Sequence, residues 1–343
     1  MLNPAREIED HATTVSLVVA LANYAASPAI GSDSAMTTAR HSLIDALGRG
    51  FEALRDPECA ALIGPLVPGA LMPGGARVPG TSLELDPVQA AFCNGLMLCR
   101  PANGDHWQAL SSGRAADSLG AILAVADYLA RKASMEGKSP PKMRDVLAAI
   151  ARALQMQCML AFEGGYQPTG TATLRLARVA TAAVVTAQLG GTQEQIATAL
   201  SHACVDGGML IDAAERYDLG RRDWATADAI SRAVWHACQA LAAGHSSYLT
   251  SDQLRLMDVA GRLLGAKPSA TPQRFGAGAV DRLAGLHEPN EVVQLTASFR
   301  AAVDRHFPTR QAERIKLLFA APEKLDDLPV NELLAALVTN GRR

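Results

Sequence analysis

Residues 85–129 read LDPVQAAFCNGLMLCRPANGDHWQALSSGRAADSLGAILAVADYL, and they decide what kind of fold this chain adopts. Asp86-Pro87 is a helix start, with an acceptor at the N-cap followed by a proline in the first turn, where its missing N–H costs nothing. Val88, Ala91, Phe92, Gly95 and Leu96 then recur at helical spacing. A second helix is expected from about Asp117-Ser118, with Leu119, Ile122, Leu123, Ala126 and Leu129 on one apolar stripe. Asp117 reads there as its N-cap. Between the two helices lies a polar loop holding Asn103, Asp105, His106, Trp107, Gln108, Ser111 and Ser112. A polar loop held between apolar helices is a common way to build a small-molecule site.

The rest of the chain follows the same pattern. Helices are expected over 15–25, 34–54, 145–162, 174–189, 192–204, 225–242, 251–264, 291–307, 309–319 and 331–338, so the fold class is all-α. Residues 145–162 and 174–189 are apolar nearly all round, which predicts burial on every side. Thr192-Gln193-Glu194-Gln195 has the form of a capping box, Gly190-Gly191 ends the preceding helix, and Asn331 would cap the last. Residues 1–12 read as a loose tail. Residues 57–81 are rich in glycine and proline and are expected to be irregular. Residues 267–289, AKPSATPQRFGAGAVDRLAGLHEP in their setting, are poor in large apolar side chains and read as a linker.

Composition agrees with a helical core. Of 343 residues, 49% are hydrophobic, 19% charged and only 4% aromatic, so close packing through alanine is expected rather than an aromatic core. Lys+Arg 32 against Asp+Glu 34 leaves a formal charge of −2, with no basic face to suggest nucleic acid. No apolar run approaches the ~20 residues of a membrane span, and the charged start MLNPAREIEDHATT is unlike a signal peptide, so the expected compartment is the cytoplasm. Six cysteines without a C-x-x-C pair suit buried thiols better than disulfides or zinc. There is no Gly-rich phosphate loop and no zinc spacing, so neither cofactor nor metal is expected.

Several words of this text resemble the MmgE/PrpD family, the family of the 2-methylcitrate dehydratases. They are GPLVPGALMPGGARVPGTSLELDPVQAAF at 64–92, SLGAILAVADYLAR at 118–131, VDGG at 205–208, RRDWATADAISRAV at 221–234, HFPTRQAERI at 306–315 and LPVNE at 328–332. The resemblance implies a helical large domain, dimerisation through it, and removal of water from a small hydroxy-carboxylate. It also implies that a second, α/β domain would begin near 267–289. Here the text passes within a few residues to the returning helices, so residues 1–266 and 290–343 are expected to form one helical domain.

Such a dehydration needs a base for an acidified C–H, an acid for the leaving hydroxyl, and cations for the carboxylates. Position by position, the resemblance implies an acid–base loop in which this chain has Ala102 and Gly104 but keeps Asp105 and Trp107, with His106 beside them. A His-Pro-Ser-Asp turn falls on Arg114, Ala115, Ala116 and Asp117. An Asp-His pair falls on Ala172 and Thr173, a His-Glu pair on Leu154 and Gln155, and an Arg-Lys pair on Arg221 and Arg222. Arginine binds a carboxylate but stays protonated, so it cannot cycle as a base. The candidate site is therefore Asp105, His106 and Asp117 for proton transfer, with Arg114, Arg221 and Arg222 for substrate carboxylates.

Plainer readings stand beside these. Asp105 and His106 also suit a solvated loop, and Arg221-Arg222-Asp223 a structural ion pair at a helix start. Glu163 suits a helix-end residue, and His202 and His236 suit core or interface histidines. Cys99 beside Arg100 has the charge environment of a low-pKa thiol but no evident histidine partner. Three functions stay open: a hydro-lyase acting on a small di- or tricarboxylate, a non-catalytic scaffold that pairs with a full-length relative, and an enzyme of different chemistry in the same helical pocket.

Overall fold

The computed structural model describes residues 18–27, 32–100, 115–163, 172–206, 222–242 and 289–339. Residues 18–26 are helical. There follow α1 (Asp33–Ala53), α2 (Pro57–Leu62), a hairpin of β1 (Ala76–Arg77) and β2 (Glu84–Leu85), α3 (Pro87–Leu98), α4 (Ala115–Met135), α5 (Met143–Glu163), α6 (Ala172–Gln188), α7 (Gln193–Val205) and α8 (Arg222–Ala242). The chain continues with α9 (Pro289–His306), α10 (Thr309–Phe319), α11 (Pro322–Asp327) and α12 (Val330–Ala336). The fold is predominantly helical, as the sequence pattern requires. Among the described residues, no helix is long and apolar enough to cross a membrane.

The local signals account for the helix starts. Asp86 accepts from the Val88 and Gln89 N–H groups at 2.9 and 3.1 Å, with Pro87 in the first turn. Thr192 and Gln195 form the reciprocal capping box: Gln195 N–H donates to Thr192 Oγ1 at 3.3 Å, and Thr192 N–H to Gln195 Oε1 at 2.9 Å. The end of α6 turns through Gly190 at φ +84°, and Gly191 N–H closes back onto the Thr186 carbonyl at 2.9 Å.

α6 is the central helix. Every residue from Leu174 to Thr186 is buried, and α4, α5, α7 and α8 surround it. α3 lies between α4 and α8, and the three meet through glycine. A Cβ on Gly120 would stand 2.7 Å from the Gly95 nitrogen, and one on Gly95 would stand 2.8 Å from Ala227 Cα. Small residues at these crossings let three backbones touch, which explains how an alanine-rich core closes without many large side chains.

The C-terminal helices lie on the same core. α9 packs on α1, where Phe51 meets Phe299 and Phe307 at ring-centroid distances of 6.5 and 5.0 Å, and α11 and α12 pack on α5 and α4. Arg40 grips Asp326 through two bonds, Nε to Oδ1 at 3.0 Å and Nη2 to Oδ2 at 2.6 Å.

Four expectations need correction. Pro57–Leu62 is helical rather than irregular, because Asp56 caps it and Pro57 opens it. The glycine-rich segment after it contains the β1–β2 hairpin, with Ala76 opposite Leu85, too short to show strand alternation in sequence. α4 begins at Ala115, so Asp117 sits inside the first turn instead of at the cap. Asn331 does not cap the last helix; Pro329 holds that position, and Asn331 Nδ2 donates instead to Ser134 Oγ at 3.2 Å. The tail at 1–12 and the helix expected at 251–264 lie outside the described residues. So does the linker at 267–289, apart from Pro289, which opens α9.

Candidate functional site

The end of α3, the start of α4 and the start of α8 come together at one end of the bundle. The tie between α3 and α8 is polar: Arg100, just past the end of α3, donates from Nη1 to Asp223 Oδ2 at 3.0 Å and from Nη2 to Asp56 Oδ2. Asp223 is buried in the first turn of α8, and its Oδ1 accepts the Trp224 N–H at 2.9 Å. Arg100 is pulled down by burial, but the charges of Asp56 and Asp223 more than offset this and raise it overall.

The first turn of α4 also carries buried polar groups. Asp117 and Ser118 are both inaccessible to solvent. Ser118 Oγ accepts from Gln157 Nε2 of α5 at 3.1 Å and from Thr181 Oγ1 of α6 at 2.8 Å. Asn94 of α3 donates from Nδ2 to the Gly120 carbonyl at 3.1 Å. A carboxylate in a first helical turn is favoured by the helix dipole.

Of the residues singled out from sequence, Asp117 is placed at this end, and Arg222 opens α8 with its side chain outside the described residues. Asp105, His106, Arg114 and Arg221 lie outside the described residues. The chain leaves α3 at Arg100 and re-enters at Ala115 on this same end, so 101–114 join two elements already in contact. Leu154 is a core residue, 2% exposed, and Gln155 accepts a hydrogen bond from the Tyr24 hydroxyl. Arg100 itself escaped notice except as a neighbour of Cys99. The available signal was its place two residues beyond an apolar helix, with an acidic helix start far along the chain.

A second polar cluster lies between α6, α7 and α8. Asp206 accepts from Arg232 through both oxygens and meets His236 Nε2 at 3.1 Å. Arg178, buried on α6, donates from Nε to the Ala203 carbonyl at 3.0 Å, with Nη1 3.9 Å from Asp206 Oδ2. Burial on its own would raise Asp206, but Arg232, His236 and Arg178 hold it at about 2. Burial lowers His202 and His236, with Asp206 partly opposing it at His236, so both are neutral near pH 7 and Nε2–H of His236 is the donor to Asp206. Burial also pushes the thiols of Cys93, Cys158 and Cys204 up to about 11, 12 and 11, which suits packing rather than nucleophilic attack. Among the described residues, no group of three or more His, Cys, Asp or Glu is arranged to hold a metal.

A helical core of this kind belongs to a known class: residues 19–253 match the MmgE/PrpD N-terminal domain, and the chain is a member of the MmgE/PrpD family. Among its relatives is the 2-methylcitrate dehydratase of Escherichia coli (strain K12), 42% identical over 245 residues, which cover 71% of this chain and 51% of that protein. The 2-methylcitrate dehydratase of Cupriavidus necator is 42% identical over 246 residues, with the same shares covered. The mitochondrial 2-methylcitrate dehydratase of Yarrowia lipolytica is 41% identical over 224 residues, covering 64% of this chain and 43% of its own length. The chain thus spans about half the length of the curated relatives it matches.

Proposed function

We propose that this chain binds a small di- or tricarboxylate at the junction of α3, α4 and α8 and acts on it as a hydro-lyase of the 2-methylcitrate dehydratase type. The observation that carries the reading is the meeting of α4 and α8 on Gly95 of α3, with the buried Asp117 and the Arg100–Asp223 tie beside it, in a chain 42% identical to such dehydratases. In this reading Arg114, Arg221 and Arg222 hold carboxylates, and Asp105, His106 and Asp117 handle protons. Histidine is suited to that task near neutral pH, and the arginines supply fixed charge without titrating.

A screen of citrate, 2-methylcitrate and related acids for thermal stabilisation tests binding, since a ligand that prefers the native state raises its melting temperature. Turnover of 2-methylcitrate is followed by the ultraviolet absorbance of the new double bond, and His106→Ala is expected to abolish it. Stabilisation by none of these acids, together with no turnover, rejects the proposal.

One observation favours a second reading, in which the chain binds without turning over and pairs with a full-length relative or with itself. Where the family resemblance implies a His-Glu pair, Leu154 is packed in the core and Gln155 is engaged by Tyr24. Losing one acid–base group typically costs ~10²–10⁴ in rate. Stabilisation by carboxylates without turnover selects this reading.

A further inference from the structure

Arg100 joins three segments with one side chain. Its Nη1 reaches Asp223 Oδ2 at 3.0 Å, its Nη2 reaches Asp56 Oδ2, and Glu58 Oε2 stands 3.9 Å away. Asp56 is at the same time the N-cap of α2, accepting from the Glu58 N–H at 2.9 Å. The guanidinium therefore fastens the cap of α2 and the first turn of α8 to the end of α3.

That first turn is held by packing and by this bridge together. From Ala227 onward α8 is held against α3 by backbone contact at Gly95. Before it, Trp224 is 47% exposed and touches Phe92 edge-on at a ring-centroid distance of 6.3 Å. On the inner side Thr226 is fully buried, and Asp223, 4% exposed in its side chain, is bound to Arg100.

We propose that Arg100 is a positioning residue: it seats the first turn of α8 and thereby sets the carboxylate affinity of the site, without touching the ligand. The inference rests on the carboxylate reading above. The chemistry needs arginine, because two separate nitrogens of a planar fork face two carboxylates on different segments, and a lysine nitrogen offers a single point of attachment. A misplacement of ~1 Å in a binding constellation is enough to cost large factors in binding or rate.

Two variants separate positioning from general stability. Arg100→Lys keeps the charge and loses the bridge. Asp56→Asn cuts one arm while leaving a competent N-cap on α2. Hydrogen exchange is measured on full-length wild type and both variants for peptides covering 222–230 and for peptides from α5 and α6, alongside the citrate affinity from melting-temperature titration. The expected result is exchange at 222–230 faster by roughly tenfold in Arg100→Lys, unchanged exchange in α5 and α6, and citrate affinity weaker by roughly tenfold. Asp56→Asn is expected to fall between. Wild-type exchange at 222–230 in Arg100→Lys, wild-type citrate affinity in both variants, or a uniform rise over all helices each overturns the inference. If wild type itself is stabilised by no carboxylate, the functional reading fails and the affinity half falls with it; the exchange at 222–230 still decides whether Arg100 seats α8.

Discussion

Asp127→Ala is expected to be among the most damaging single changes away from the site. Asp127 is fully buried on α4, and Arg77 of β1 is 9% exposed. The carboxylate takes three hydrogen bonds from that one residue: from the Arg77 N–H at 2.8 Å and Nε at 3.0 Å on Oδ2, and from Nη2 at 2.6 Å on Oδ1. Arg77 Nη2 also donates to the Asn331 carbonyl at 2.7 Å, so the pair joins the hairpin to α4 and to α12. Removing the carboxylate strands a buried guanidinium, which typically costs ~3–5 kcal/mol. It also leaves the Arg77 N–H unmet, a further ~1–3 kcal/mol taken alone. The two losses belong to one network and do not simply add, so a loss of about 4 kcal/mol is expected for Asp127→Ala. The double variant Arg77→Met/Asp127→Leu removes both charges and is expected to regain most of this, keeping a deficit of ~1–2 kcal/mol for the unpaired backbone N–H. Urea unfolding followed by far-ultraviolet circular dichroism measures both. A loss below ~1 kcal/mol for the single change, or a double variant no more stable than the single, refutes the claim that an uncompensated buried charge dominates.

Gly120→Ala is expected to destabilise by ~1–3 kcal/mol, because the new methyl meets the Gly95 nitrogen and the Asn94 carbonyl carbon at 2.7 and 3.0 Å, and neither is a side chain that can turn away; thermal unfolding checks this. Thr192→Ala should cost about 1 kcal/mol by breaking the capping box of α7, and Thr192→Ser should recover most of it. Burial lowers His202, His236 and His306 in the folded protein, so below their unfolded value of about 6.5 the unfolded chain takes up protons that the folded chain refuses. Stability should therefore fall as pH drops from about 7 to about 5, and a flat melting-temperature profile over that window contradicts the burial of these rings. Asp206, held at about 2 against 3.8, works at a lower window: its contribution is complete above the unfolded value and is lost as pH falls toward 2. Asp206→Asn should remove that acid-side loss.

Much of the helical framework is readable from short-range chemistry. Asp86-Pro87, the Thr192–Gln195 box and Gly190 act on their own neighbours, so their meaning is carried by a few adjacent residues. The all-round apolar text of 174–189 requires burial wherever it packs, and α6 is the helix the others surround. The misreadings have an equally local cause. Pro57 and the glycines at 74, 75 and 80 suggested irregular chain throughout, whereas Asp56 is enough to start a short helix and β1–β2 needs only two pairs. Asn331 has the right chemistry for a cap, but Pro329 ends the extended approach first and the amide finds Ser134.

The candidate site divides in the same way. The chemical inventory of 101–117 and 221–223 is plain in the text, because side-chain charge and proton affinity are properties of each residue. What no local pattern carries is which residues become neighbours. Arg100 and Asp223 are 123 positions apart, Arg77 and Asp127 are 50 apart, and the Gly120–Gly95–Ala227 contact spans three helices. The sequence by itself determined the long helices, their buried faces and the family, though not the short helices Pro57–Leu62 and Pro322–Asp327. The tertiary structure alone decided that Arg100 would be a bridge rather than the activator of Cys99, since a guanidinium pairs with whichever carboxylates the closing helices bring within reach.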